Sequence, residues 1–335
     1  MKRLLPLLLL VAWSGCGKSP QTGPVEDTRF LMDTAVRIAV YEAPLSQAQI
    51  ESAIQGAFEA MQDVERKTSA HQSESDVARL NRCAGGEAVP VSEETRAVLH
   101  EAVHVSAVTN GAFDPTIAPI QELWGFFSGS PTVPEDSEIR SRLPLVDYSR
   151  IEWIGNKVRL GEPGVGLDLG GIAKGFNIDR AVEALRSAGV RSALVDAGGD
   201  LRIFGPHPKN PHWRIGIKHP RRGRGSLFGV IETGPVSIAT SGDYERFFIR
   251  EGRRYHHILD PKTGRPARGC ISVTVVTDNA VQADAYATAV FVMGPDKGMA
   301  LIESRPDLEG VILYKEDGEI RTRISSGLKN KVQLL

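Results

Sequence analysis

Apolar Val36, Ile38 and Val40 alternate with Arg37 and Ala39, a period of two that predicts a strand. Helical spacing takes over at Ile50, Ile54, Ala57, Phe58, Met61 and Val64, behind a capping box made by Ser46 and Gln49. A second helix is predicted from Ser92, with Val98, Leu99, Ala102, Val103 and Ala107 on its inner face and a stop at Asn110-Gly111. Ile151 to Leu167 reads as a hairpin about a Gly155-Asn156 turn, and the glycine-rich run after it leads into a helix ending at Gly189. Strands are expected at 190–195, 214–218, 229–233 and 271–277, and helices at 281–293 and 295–304. Strands and helices mix without a regular βαβ beat and without repeats. The pattern therefore predicts an α+β fold with mixed, largely antiparallel sheets and packed helices.

The amino terminus does not belong to that pattern. Basic Lys2 and Arg3, an apolar run from Leu4 to Ala12 and small residues before Cys16 read as an export signal over residues 1–16. The apolar run is too short to span a bilayer, which takes about 20 residues. Trp13-Ser14-Gly15-Cys16 resembles a bacterial lipoprotein cleavage box, with Trp13 where Leu is usual; the alternative is a plain secretory signal. In the first case Cys16 is lipidated and holds the chain on a bacterial cell membrane, facing the periplasm or extracytoplasmic side. Residues 17–28 are polar and rich in Pro and Gly, as in a tether, which leaves 29–335 as the folded domain. Cys83 and Cys270 could pair in an oxidising compartment, but no sequence feature brings them together.

Charge narrows the partners. Forty Lys and Arg balance 41 Asp and Glu, so no basic field points to nucleic acid. Arg221, Arg222 and Arg224, in the stretch 205–225, read as a solvated surface insertion. The 34 glycines gather in pairs such as Gly170-Gly171 and Gly198-Gly199, which suits backbone held close to a ligand.

Four segments could carry chemistry. Asp284 and Thr288 stand four apart on a predicted helix, so a carboxylate and a hydroxyl share one face and could hold Mg²⁺ against substrate phosphates; alone, such a pair more often marks a solvated face. Asp168 to Gly175 places two glycines before a helix, with Lys174 adding charge, an arrangement that suits a polyanion or simply a tight strand-to-helix turn. Thr240 and Ser241 lie in a hydroxyl-rich turn that could bind phosphate or equally be an ordinary turn. His257 and Asp260 are candidates for proton transfer. A zinc reading is weak, because adjacent His256 and His257 point to opposite sides of a strand.

In their order along the chain the segments resemble the ApbE family of FAD:protein FMN transferases, over residues Phe30 to Met293. The resemblance also rests on Met32-Asp33-Thr34, Gly111 to Thr116, Leu123-Trp124-Gly125, Val195 to Asp200, Ala239 to Tyr244 and His257 to Gly264. It implies FMN transfer from FAD, the substrate, to a threonine of an acceptor flavoprotein, with AMP leaving. It implies Mg²⁺ on Asp284, Thr288 and the carbonyl of Gly171, and an FAD site lined by Met32, Ala112, Phe113, Asp114, Asp168, Lys174 and Ile258. His257, steered by Asp260, is then expected to deprotonate the threonine. Two positions depart from the family: Asp33 replaces a glycine, and His71 replaces the aromatic that stacks on the dinucleotide. Rival readings are an Mg²⁺-dependent FAD pyrophosphatase giving FMN and AMP, and a non-catalytic exported flavin-binding lipoprotein.

Overall fold

Two strands, β1 (Val25–Leu31) and β2 (Thr34–Glu42), are joined by Met32 and Asp33, whose φ values of 51° and 58° give the tight turn a twisted hairpin needs. The structure, a computed structural model, describes residues 23–335 except 128 and 224. The hairpin is followed by α1 (Gln47–Thr68), α2 (Asp76–Arg82), β3 (Val89–Pro90), α3 (Glu93–Val108), α4 (Ala118–Trp124) and α5 (Asp136–Arg142). Then come β4 (Ile151–Ile154), β5 (Lys157–Leu160), α6 (Ala173–Ser187), β6 (Ser192–Ala197), β7 (Asp200–Phe204), β8 (Trp213–Lys218), β9 (Leu227–Thr233) and β10 (Ser237–Gly242). The chain continues through β11 (Phe247–Arg250), β12 (Arg253–His256), β13 (Leu259–Asp260), β14 (Arg265–Pro266), β15 (Cys270–Thr277) and α7 (Ala280–Glu303), and ends in β16 (Glu309–Glu316), β17 (Glu319–Ile324) and β18 (Val332–Leu334).

The central sheet has eight strands in the order β1-β2-β6-β7-β10-β15-β16-β17, every neighbouring pair antiparallel. Both of its faces are covered. Ala193, Val195 and Ala197 of β6 pack with Phe58 and Met61 of α1 and Val182 of α6, while Leu194 between them packs with Trp213, Ile217 and Ile231 of the three-stranded sheet β18-β9-β8. The expected α+β, largely antiparallel class is the one observed.

Two helices in the layer over the sheet fix each other's register. Asp179 of α6 accepts the N–H groups of Ala280 and Val281 at the start of α7, both at 3.0 Å, and Asp284 of α7 accepts the N–H of Gly175 at the start of α6, also at 3.0 Å. Each carboxylate so caps the other helix, where orphan N–H groups and the helix dipole favour negative charge. The approach is close enough that a Cβ on Gly175 would lie 2.1 Å from the carbonyl oxygen of Ala280. Asp179 is also paired with Arg202 and is buried. Asp179→Ala removes two caps and strands that arginine, so a loss of about 3–5 kcal/mol and a fall in Tm on the order of 10 °C are expected by calorimetry. An unchanged Tm would contradict the reciprocal-cap account.

The expected helices at 281–293 and 295–304 form one element broken at Gly294, whose φ of 83° lies outside the helical region. Several details depart from expectation. Strand β1 starts at Val25, inside the stretch 17–28 read as a tether, because Val25, Asp27 and Arg29 alternate inward on an edge strand that tolerates polar residues. The inner face of α3 buries Val105 and Ser106 beside Val98, Leu99 and Ala102, with the expected Val103 half-buried against the same core, whereas Ala107 is exposed, as three-and-four spacing from Val98 and Ala102 dictates. The strand expected at 190–195 lies at Ser192–Ala197, and β16, β17 and β18 were not anticipated. Cys83 is exposed, Cys270 is buried, and both are free thiols. The export signal at 1–16, Cys16 and residues 17–22 lie outside the described residues. Among the described residues no helix is long and apolar enough to cross a membrane.

Candidate active site

The start of α6 forms one wall of the site. No side chain caps it locally, since Ile172 occupies that position, and Asp284 reaches across from α7 to take over. Asp284 lies beside a second buried carboxylate, Asp200, which accepts the Thr240 N–H at 2.9 Å and pairs with Lys174. Burial, with Asp200 adding to it against the opposing charge of Lys174, pushes the Asp284 carboxyl up to about 7. Burial pulls Lys174 the other way, yet the carboxylates of Asp200 and Asp284 outweigh it and hold the ammonium above its ordinary value. Two buried acids thus share one ammonium, a local excess of negative charge that a cation would relieve.

Thr288 lies one helical turn after Asp284, and its Oγ1 is 3.3 Å from Ser241 Oγ. A Cβ on Gly171 would come within 3.3 Å of Thr288 Oγ1 and 3.1 Å of the Phe113 ring, so glycine lets the turn backbone meet the hydroxyl. The donors at this corner are all oxygens. Among the described residues no cluster of three or more His, Cys, Asp or Glu could hold a metal ion. A carboxylate, a hydroxyl and a backbone carbonyl suit a hard cation such as Mg²⁺ that completes its shell with water and phosphate.

The other expected residues divide by role. Adjacent strand positions point to opposite faces, so Ser241 reaches Thr288 whereas the Thr240 hydroxyl meets Thr274 Oγ1 at 2.9 Å on the far side. There Thr240 lines a cavity of about 450 Å³ with Arg37, Tyr41 and Trp213. The Thr240 side chain is therefore turned away from the Asp284 corner, and only its N–H serves it, through Asp200. Both Asp114 oxygens are taken up by Thr116 and by the Tyr148 N–H, so this buried carboxyl shapes its loop. Asp168 accepts the Gly170 N–H at 2.7 Å and donates its own N–H to the Pro115 carbonyl, tying the loop of buried Ala112 and Phe113 to the glycine turn. Ile258 is a core residue whose carbonyl accepts the Ala267 N–H.

Met32 donates its N–H to Glu65 Oε1 at 3.2 Å. Asp33 adopts the left-handed conformation a glycine would take there, and its carboxylate lies 3.5 Å from Arg246. The Arg246 guanidinium sits 5.0 Å over the Phe127 ring, and the His71 ring is 6.0 Å from Phe127. This rim of His71, Phe127, Arg246 and Asp33 was only half legible, since Arg246 and Phe127 carry no local signal.

His257 donates its backbone N–H to the Arg246 carbonyl, and its Nδ1 lies 3.2 Å from the same oxygen. A carbonyl only accepts, so Nδ1 carries the proton and Nε2 keeps a lone pair. Burial foremost, then the neighbouring His256 and, more weakly, the charge of Lys174 bring the imidazole down to about 4, so it is neutral near pH 7. Asp260 does not steer it: its oxygens accept the Lys262 N–H at 2.9 Å and the Thr263 hydroxyl at 3.1 Å within their own turn. An aspartate that opens an Asp-Pro-Lys-Thr-Gly turn bonds locally, and the Arg246 carbonyl takes over the steering. His256 points the other way, to the Ala267 carbonyl, as the alternation requires. Asp200 escaped the sequence reading because its partner, Lys174, is 26 residues away.

The model of the ApbE family matches residues 32–312. The FAD:protein FMN transferase of Vibrio cholerae is 31% identical over 333 residues, covering 97% of each chain, and that of Klebsiella pneumoniae is 34% identical over 261 residues, 77% of this chain and 81% of its own. Among solved structures, the ApbE protein of Thermotoga maritima superposes with a TM-score of 0.84 at 36% identity, over 92% of this chain and 99% of that one. The flavin transferase ApbE of Vibrio cholerae gives 0.81 at 31%, over 92% and 99%.

Proposed function

The chain belongs to the ApbE family of FAD:protein FMN transferases, and from that premise we propose that it transfers FMN from FAD to a threonine hydroxyl of an acceptor flavoprotein, releasing AMP, with Mg²⁺ in the Asp284 corner. The observation that carries this reading is the all-oxygen corner in which Asp284 and Thr288, one turn apart on α7, meet the start of α6, the Gly171 turn and Ser241 beside the Lys174–Asp200 pair. The glycine turn and the start of α6 offer N–H groups and Lys174 to the FAD pyrophosphate. Asp284, Thr288 and the Gly171 carbonyl would hold Mg²⁺, which when bound neutralises phosphate charge and makes the phosphorus more electrophilic. His257 Nε2 accepts the threonine proton as that oxygen bonds to the FMN-side phosphorus. The bond from this phosphorus to the bridging oxygen breaks, AMP leaves with the oxygen, and the proton passes to solvent. Arg246 aligns the imidazole through its carbonyl.

Stoichiometry tests transfer directly. One AMP released for each FMN bound to the acceptor is expected, with free FMN a minor product; free FMN matching AMP means that water is the acceptor and the chain is a pyrophosphatase.

The rim bears on affinity. His71 offers a smaller stacking surface than the aromatic side chains usual there, so His71→Tyr is expected to tighten FAD binding about three- to tenfold, measured by flavin fluorescence. Unchanged affinity would remove His71 from the flavin contact. The leader and Cys16 support an exported, lipid-anchored placement on the outer side of a cell membrane, which labelling with a fatty-acid analogue in wild type and Cys16→Ser tests.

A further inference from the structure

The ribbon β11–β12 grows directly out of the site. Its ladder pairs Phe247 with His256 and Arg250 with Arg253 around a Glu251-Gly252 turn, both turn residues having positive φ, and the next pair inward is Arg246 with His257. One face of the ribbon packs: Phe248 and Tyr255 stack at 5.2 Å, against Phe126 and Trp124. The opposite face presents Phe247 and Ile249, 41% and 62% exposed, with the Arg254 guanidinium 3.7 Å over the Phe247 ring. Arg250 and Arg253 at the tip fall on the face of Phe248 and Tyr255, which is also that of His257, and have no carboxylate partner among the described residues. From 214 to 254 the sequence holds nine Lys or Arg against four Asp or Glu, in a chain whose net charge is −1.

An apolar, basic ribbon rooted at the catalytic imidazole has one evident occupant in an enzyme whose second substrate is a protein. We propose that β11–β12 is the acceptor-docking surface, and that it selects an extended acceptor segment with apolar and acidic side chains near the target threonine. This rests on the transfer reading above. Charge complementarity with the tip arginines, which share the His257 face of the ribbon, sets the acidic preference, and an extended segment running along the ribbon edge meets exposed Ile249 on the other face with its alternate side chains. Ile249 and the tip arginines lie three to four ladder positions from His257, roughly 10–13 Å at strand rise. An acidic residue about four places from the threonine therefore reaches Arg250 or Arg253.

Two synthetic peptides test this. Each carries one threonine with leucine neighbours; one has aspartates three and four places away, the other lysines. The full-length wild type is expected to bind and flavinylate the aspartate peptide about five- to tenfold better, chiefly through KM. The Arg250→Glu/Arg253→Glu variant is expected to reverse that preference while its FAD affinity stays unchanged, and Ile249→Ser to weaken both peptides. A reversal cannot come from damage to the fold. Equal use of both peptides by wild type, or a preference that survives the charge reversal, overturns the proposal. So does loss of binding to phosphatidylglycerol vesicles in the variant with no change in peptide preference, which would make the ribbon a membrane contact. If polarisation shows the preference and its reversal but no peptide gains FMN, docking stands and the transfer reading falls.

Discussion

Asp284→Asn is expected to lower the rate of FMN attachment about 10³-fold at saturating FAD and Mg²⁺, the scale of losing one preorganised stabiliser of developing charge. The choice of asparagine matters. Asp284 also accepts the Gly175 N–H, so alanine would uncap α6 at a cost of about 1–2 kcal/mol and mix a folding defect with a chemical one. Asparagine keeps an acceptor oxygen and loses the charge, and Tm is expected to fall by only a few degrees. The neighbouring Asp200 and Lys174 remain paired in the variant, so any residual rate reports what the lysine and the α6 amides supply by themselves. Single-turnover rates in Mg²⁺ and in EDTA separate the contributions: wild type is expected to drop in EDTA to near the variant, and the variant not to respond. Retention of the wild-type rate by Asp284→Asn would dismantle the metal assignment.

His257→Asn is expected to cost about 10²–10⁴ in kcat with little change in FAD affinity, the usual worth of a positioned general base. Its pH behaviour is the sharper test. The folded-state value, lowered to about 4, lies below the ordinary histidine value of roughly 6.5, so the neutral, competent form persists until pH falls through about 4. The wild-type rate is therefore expected to show no loss from this group between pH 8 and 5. An inflection near 6.5 that disappears in His257→Asn would mean that the imidazole titrates normally. The same inequality sets a stability trend: the unfolded chain takes up this proton first, so the stabilisation is complete above about 6.5 and declines as pH falls towards 4.

How much of this was legible in the sequence depends on the range of the interaction. Periodicity located α1 and β2, and the spacing of Asp284 and Thr288 set them on one face of a helix, because these depend on neighbours within one or two turns. The break at Gly294 was announced by Gly294-Pro295. What stayed hidden was made by distant partners. Asp200 acquires its role by pairing with Lys174 across the sheet, and the tilt of His257 is set by a carbonyl eleven residues back. Thr240 looked equivalent to Ser241 until the strand direction was known, since one residue of phase decides which face a hydroxyl serves. Asp260 misled for the opposite reason: a local turn claimed a carboxylate that the sequence made available to a histidine three residues away.

Transfer of FMN from FAD to a threonine, under the control of the Asp284 corner and His257, leaves a covalent mark on the acceptor. The most direct measurement is the intact mass of an acceptor flavoprotein after incubation with the enzyme, FAD and Mg²⁺, with peptide mapping of any adduct. A gain equal to FMN less water is expected, located on one threonine, absent with EDTA and nearly absent with Asp284→Asn. An acceptor of unchanged mass while FAD is converted to free FMN and AMP, or an adduct formed equally well by Asp284→Asn, would contradict it.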